Sequence, residues 1–598
     1  MKGLVSCALL VLVFSTTVVA ADAPLLVDNL APILSPLLSG TRGFSLRAEI
    51  EIPDGADKHT IKLDLDQIDD DSFDLAIEHQ DYAVAIRRRA DRTEFVLPKH
   101  NKTFVGRGEI NGKDSLRPLG ITQRLVGSGT KLSTYLPLVT NGDPQVVALL
   151  LTGILKVQYD HQTESWSNQK EVSLRFSEPG VVSLEVGDVR VRLRAGNVTK
   201  THAEVAAKQT HEIVEIDRIE LERQLVRGVR RAFEILAPSA KLTLPAKSER
   251  KVANGELRWI NGQRIALLRG TPEEIGQAHG QLLKKEARRC IDSVLYTFGT
   301  AETIRSGSWF RHELESAYER LAPYIPEDHK RETRAMAASL QLEPRLIETL
   351  NVFPELFHCS GFAVFGKATK DGKLYHGRVL DYMTTIGLQD AATTFIVAVD
   401  DKIPFANIGY AGFIGSVSGM NSQAISLGEM GGRGEGEWDG VPMATLMRRA
   451  LEECSTLDEV KQLWTTNPRT CEYFYVFADG KTNDAVGVSA TPGAVEFIAP
   501  GQAHERLGEG IEDAVVLSAG DRLKTLRSRV QERYGEIDVE VAKWLMSRPV
   551  AMQSNLHNVL FVPQDGLLYV ANADHKHPAA ERPYVRLDLR ALLAEMTR

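Results

Sequence analysis

The sequence predicts an α+β protein built on antiparallel sheets, a β-rich part followed by a mixed part. Three observations carry this. Between about residues 40 and 195, short segments alternate apolar and polar residues and are separated by turn clusters. From about 257, helical stretches are mixed with hairpin-like runs instead of alternating one strand with one helix. The chain has 598 residues, too many for one ordinary core, which favours two or three domains.

Taken in order, the chain opens with "MKGLVSCALLVLVFSTTVVAADAP". One lysine precedes an apolar core from Leu4 to Phe14, and small residues follow. This pattern predicts a signal peptide over residues 1–20, cut after Ala20, and export to the periplasm or beyond the cell. The apolar run is shorter than the ~20 residues that a membrane span requires, and no later segment is long and apolar enough. "FSLRAEIEI", "HTIKLDL", "DYAVAIRRR", "TEFVLP" and "VSLEVGDVRVRLRAG" read as strands of a sheet with one face covered. Residues 22–236 therefore form a β-rich accessory domain, a curved sheet that resembles the half-barrels of periplasmic lipoprotein carriers. It ends in a helix within "THEIVEIDRIELERQLVRGVRRAFEIL". Pro, Ala, Lys and Ser gather in residues 237–255, which read as a linker.

The second domain spans residues 256–598. Thr271, Pro272 and Glu274 predict a capping box with proline at the first helical position. Helices continue to "PRLIETLNVF". Strands follow from "GFAVFGKAT" through "TTFIVAVDD", then a helix over "MATLMRRALEECSTLDEVKQLW". The last elements are further strands, a helix near 538–547, and the strands "NVLFVP" and "LLYVANA".

Composition narrows the function. Net charge is −8, with 43% hydrophobic and 25% charged residues, so nothing argues for a nucleic-acid partner. "AIRRRADR" and "LVRGVRRAF" are short enough to be solvated faces. No CxxC pair and no HExxH occurs, so neither a metal nor a cofactor is expected. The glycine-rich "GGRGEGEWDG" lacks the lysine and the strand-to-helix context of a phosphate loop. Cys290, Cys454 and Cys471 sit in apolar or helical contexts and read as structural.

Cys359 is different. It opens an apolar run, a "KDGK" turn follows, and a second run ends in "GRVLDY". A hairpin would set Arg378 and Asp381 beside the cysteine. On spacing alone, two readings stand: a buried thiol at a strand end, or a nucleophile with charged helpers.

In order along the chain, "RGTPEEIGQAHGQLLKKE", "LNVFPELFHCSGFAVFGK", "LYHGRVLDY", "GFIGSVSGMNSQAISL", "GVPMATLMRRALEECSTLDEV" and "CEYFYVFADG" resemble the isopenicillin N acyltransferase family. That family belongs to the N-terminal-nucleophile (Ntn) hydrolases, and the resemblance runs over about residues 265–575. "GRVLDY" is also similar to a stretch of the related bile-salt and penicillin V hydrolases. The resemblance implies an αββα sandwich in the second domain. It also implies a precursor that cuts its own backbone between His358 and Cys359, leaving the Cys359 α-amine as base for its own thiol. Arg378 then neighbours the thiol and Asp381 holds the new amine. By the same resemblance, Asn421, Ser518 and Arg529 are oxyanion or substrate candidates, Asn421 fitting a family turn and Arg527 lying near Arg529. His279 reads as a helix-packing residue. The family asparagine that helps hold the oxyanion is replaced, because "VVLSAGDR" puts Ser518 and Ala519 there.

The expected activity is hydrolysis of a linear amide: an N-acyl amino acid, an N-acyl amine or a peptide-like conjugate. Export disfavours transfer from cytosolic coenzyme A. Alternatives are an acyltransferase, a non-catalytic acyl- or lipid-binding protein on a decayed scaffold, and an uncut thiol enzyme using another base such as His358.

Overall fold

The computed structural model describes residues 23–38, 43–54, 57–69, 71–110, 114–116, 143–155, 157–168, 172–186, 188–198, 211–236, 249–353, 358–432, 436–505 and 508–596. The expected signal peptide, most of the expected linker and residues 354–357 lie outside the described residues. The chain divides into two compact units. One holds residues up to 237 plus Tyr296–Trp309, the other Pro238–Leu295 plus Phe310–Arg598.

The first unit is one twelve-stranded sheet. All neighbours are antiparallel except the edge strand Glu212–Glu215, which runs parallel to Lys102–Arg107. The alternation seen in sequence sets the faces: Ala48 and Ile50 are buried while Glu49 is exposed, and Ile50 lies directly across from Ile61. Helix Ala23–Leu38 brings Leu26, Leu30 and Ile33 into the same core, a spacing of four and three that keeps them on one helix face. Helix Pro144–Leu155 packs on that helix. The helix expected over "THEIVEIDRIELER" begins only at Arg218. Ahead of it, "EIVE" alternates and adds the edge strand.

Residues Tyr296–Trp309 complete this unit. The Trp309 ring lies 5.2 Å from that of Phe104, and its indole N–H donates to Glu220 at 2.5 Å. At the centre, the buried Glu222 carboxylate accepts from Arg88, Arg218, Thr93 and the Leu116 N–H. A buried carboxylate with this many donors is a satisfied structural anion.

The second unit is a four-layer α/β/β/α arrangement. A ten-stranded sheet runs from Arg250–Val252 at one edge to Val495–Ile498 at the other. A six-stranded sheet has the order Ala514–Leu517, His358–Val364, Tyr375–Asp381, Asn555–Val562, Leu567–Asn572, Val585–Asp588. Ile265, Leu267, Ile396 and Met420 of the first sheet share a core with Val559, Phe561, Leu568 and Val570 of the second. The outer face of the six-stranded sheet packs Phe362, Val379 and Leu560 against Leu526 and Val530 of helix Gly520–Glu532 and against Ala542 and Leu545 of helix Val539–Leu545.

Helices also cover the other sheet. Pro272–Leu282 lies on strand Gln263–Gly270 and against helix Glu327–Leu340. Its two glycines allow that approach. A Cβ on Gly276 would sit 2.1 Å from the Glu332 carbonyl oxygen, and one on Gly280 2.7 Å from Ser339. The capping box forms as expected: Thr271 Oγ1 accepts from the Glu274 N–H at 3.3 Å, and Glu274 accepts from the Thr271 N–H at 2.8 Å. The single helix expected over residues 443–464 is two, Met443–Glu453 and Leu457–Thr466. A second capping box, Thr456 with Glu459, starts the later one.

Candidate active site

The hairpin expected around Cys359 exists and lies inside the six-stranded sheet. Strand His358–Val364 pairs antiparallel with Tyr375–Asp381, setting Cys359 opposite Leu380, Gly361 opposite Arg378, and position 358 opposite Asp381. Side chains alternate along a strand, so the register sorts the candidates. Cys359, Arg378 and His376 share the face toward the ten-stranded sheet. Asp381 and Ser360 share the face toward helix Gly520–Glu532.

On the inner face, Arg378 and Glu429 are both fully buried and pair at 3.2 Å. Glu429 comes from strand Ile425–Gly431 of the other sheet. Gly428 permits the contact, since its Cβ would lie 3.2 Å from Arg378 Cδ and 3.3 Å from His376 Nε2. Nε and Nη1 of Arg378 have no hydrogen-bond partner among the described residues. His376 Nδ1 is 2.7 Å from Ser426 Oγ. His557, from the next strand, is held between Tyr410 OH at 3.1 Å and Ser418 Oγ at 3.0 Å.

Arg378 governs the electrostatics of this seam. Burial pushes the Cys359 thiol well above the usual thiol range, and the Arg378 guanidinium opposes that rise. Burial, with Arg378 adding repulsion, lowers His376 to about 3 and His557 well below the ordinary histidine value. Both imidazoles are therefore neutral at working pH, and neither is placed to carry charge next to the thiol. Cys359 is only 5% exposed. In the intact chain it is a protonated, enclosed thiol.

The outer face holds a second constellation. Asp381 accepts from the Met552 backbone N–H at 2.9 Å and from Arg522 Nη1 at 2.5 Å. The same Nη1 donates to Ser360 Oγ at 3.2 Å, and Ser360 Oγ is 2.6 Å from Ser518 Oγ. Burial raises the Asp381 carboxyl, and the Met552 N–H and Arg522 counteract the rise. Ala519 is the N-cap of helix Gly520–Glu532 and offers no side-chain cap. The expected asparagine has no equivalent there, and the Ser518 hydroxyl is already engaged with Ser360.

Two sequence candidates are structural. Asn421 Nδ2 donates to the carbonyls of Leu451 and Cys454, and its Oδ1 accepts from the N–H groups of Gln423 and Ile425. Every one of its polar groups is used by a turn, so it is no oxyanion donor. Arg529 donates to the carbonyls of Trp544, Leu545, Ser547 and Arg548, closing the C-terminal end of helix Val539–Leu545. That commitment removes it from the substrate candidates. Arg527 lies by Gly508. His279 accepts from the Gly412 N–H at 3.0 Å and packs on Phe395, the helix-packing role its context implied.

Sequence reading missed Glu429 and Arg522. Glu429 had a signal, a lone charge within the apolar run "ISLGEM". Arg522 had none, because its partner Asp381 is 141 positions away. Among the described residues, one group has the spacing of a metal site: Asp328, His329 and Glu452. Its carboxylates are already matched by cations, Glu452 by Arg448 at 2.7 Å and Asp328 by Lys402 at 3.6 Å. These residues do not fit a metal centre.

Residues 368–504 match the family described as acyl-coenzyme A:6-aminopenicillanic acid acyl-transferase, the family that the sequence resembles. Protein dcd1A of Dictyostelium discoideum is 26% identical over 249 residues, covering 37% of this chain. The chain spans 56% of the length of that relative. Among solved structures, a Caenorhabditis elegans N-acylethanolamine-hydrolyzing acid amidase ortholog is similar at 18% identity and a TM-score of 0.30, over 34% of this chain and 93% of that one. A mutant of the conjugated bile acid hydrolase from Clostridium perfringens is similar at 12% identity and a TM-score of 0.26, over 39% and 93%. No described helix is long and apolar enough to cross a membrane.

Proposed function

With the acyltransferase family match over residues 368–504 as premise, we propose that this chain is an exported cysteine Ntn hydrolase that cleaves a linear amide through an acyl-enzyme on Cys359. The observation that carries the reading is the register of the Cys359 hairpin. It sets Arg378 on the thiol's own face and Asp381 directly across from the peptide bond to be cut.

The intact chain is then a precursor. Cys359 Sγ adds to the His358 carbonyl carbon, and the bond to the Cys359 nitrogen breaks as that nitrogen takes the thiol proton. Water hydrolyses the resulting thioester, leaving a His358 carboxylate, a Cys359 thiol and a free α-amine. An α-amine titrates near ~8, so its neutral form is a competent base around neutral pH. It accepts the thiol proton as Sγ attacks the substrate carbonyl. It returns that proton to the leaving amine, and then helps water resolve the acyl-enzyme to a free acid.

Arg378 stabilises the thiolate by charge. Asp381 orients the amine and stabilises its protonated form. With Ala519 in the asparagine position, one oxyanion donor is missing, a loss that costs ~10²–10³ in rate in comparable sites. The enzyme is accordingly slow. Cleavage before Cys359 also turns a buried strand residue into a chain end, which opens a thiol that the intact chain encloses.

Cys359→Ala tests the reading. The variant is expected to stay as one uncut chain and to lose amide hydrolysis by on the order of 10⁴-fold or more. Mass spectrometry of the wild type with substrate should find the acyl group on the peptide that begins at Cys359. Undiminished hydrolysis by the alanine variant would refute it.

A further inference from the structure

Arg522 is half used. Its Nη1 is bound to Asp381 at 2.5 Å and to Ser360 at 3.2 Å, while Nε and Nη2 make no hydrogen bond among the described residues. The side chain is 21% exposed, whereas Arg378, the other cation beside the hairpin, is fully enclosed. Arg522 sits in the first turn of helix Gly520–Glu532, three residues after Ala519. Its anchor is rigid: Asp381 is held from the other side by the Met552 N–H. A guanidinium fixed through one nitrogen keeps a second edge of parallel N–H donors, the fork that matches a carboxylate in two-point fashion.

Position says what that edge lies near. Ser360, which Arg522 touches, is the residue after Cys359, and Asp381 lies across from position 358. Arg522 is thus tied, through Ser360 and Asp381, to the backbone on either side of the bond between positions 358 and 359. Before cleavage, Asp381 and Arg522 neutralise one another. Cleavage adds a Cys359 α-amine and a His358 carboxylate together and so leaves the net charge unchanged. The group left to take a further anion is the unused Nε–Nη2 edge of Arg522.

We propose that Arg522 is a specificity-determining residue, receiving a carboxylate on the amine half of the substrate and selecting N-acyl amino acids over neutral N-acyl amines. This inference rests on the hydrolase reading above, because it needs the cut before Cys359 and turnover at that thiol.

The test compares N-dodecanoylglycine with N-dodecanoylethanolamine, which share an acyl chain and differ in the terminal carboxylate. The full-length protein as purified, wild type and Arg522→Lys, is assayed with both. Lysine keeps a cation for Asp381 but lacks the second donor edge. The wild type is expected to favour the glycine conjugate in kcat/KM by tenfold or more. The lysine variant, still cut before Cys359 by intact mass, should narrow that preference to about twofold through a higher KM for the glycine conjugate alone. Equal handling or ethanolamide preference by the wild type overturns the inference and leaves the hydrolase reading standing, as does a lysine variant with undiminished discrimination. If neither amide is cleaved and neither acylates Cys359, both fall together. The wild-type comparison decides the matter even where the variant is not processed.

Discussion

Arg378 is the residue on which the inner face depends, and its removal should be read twice. Arg378→Met breaks the buried pair with Glu429 from one side, a loss of about 3–5 kcal/mol. Urea unfolding is expected to show it. The same change removes the charge that opposes burial at Cys359, so the thiol moves further up and its reactive fraction falls. Labelling by iodoacetamide at fixed pH should slow accordingly. At this scale the sequence was partly legible. Cys359, Arg378 and Asp381 lie in one short stretch, and a hairpin turn is a local signal. What was not legible is which face each occupies, because the register depends on pairing, and one residue of shift inverts it. Arg529 and Asn421 show the limit: each had suitable chemistry, and only the folded chain shows that carbonyls and turn amides consume it.

At the scale of elements, the helix Met443–Glu453 carries a pH-dependent tie. Arg448, fully buried, donates to Glu452 at 2.7 Å and to Glu332 of another helix at 2.6 Å, and Glu452 is 3.1 Å from His329 Nε2. Burial alone would raise the Glu452 carboxyl, but Arg448 and His329 outweigh it and hold the group well below the ordinary range. The unfolded carboxyl titrates near ~4.3, so the folded state binds this proton less readily than the unfolded state does. The stabilisation is full above that value and is lost as pH falls through the folded one. Glu452→Gln should flatten the loss of stability below about pH 4, while lowering stability at neutral pH because Arg448 keeps only Glu332 of its two counter-charges. Denaturant titrations across pH 3–7 measure both. Periodicity and capping residues predicted most elements here. They failed where a local cap interrupts one apolar stripe, as Thr456 and Glu459 do, and where alternation in "EIVE" runs almost directly into a helix, with only Ile216 and the capping residue Asp217 between them.

For the whole molecule, the proposed cut before Cys359 would divide chain but not core. Strand Gln263–Gly270 lies before the cut and pairs with Ala392–Val399 after it, and Ile265 and Leu267 of that strand share a core with Val559 and Phe561. The two fragments should therefore co-elute as one species on size exclusion and separate only in denaturant. The division into a β-rich part and a mixed part was legible from texture alone. That Tyr296–Trp309 belongs with the β-rich unit was not, because a segment inserted back into an earlier core leaves no mark in local pattern.

The central claim is that Cys359 becomes a chain terminus. N-terminal sequencing of the purified wild-type protein tests it most directly. The account predicts a fragment beginning Cys359-Ser360-Gly361 beside a second, upstream N-terminus; a single N-terminus on one uncut chain, from protein that hydrolyses acyl amides at full rate, would contradict it.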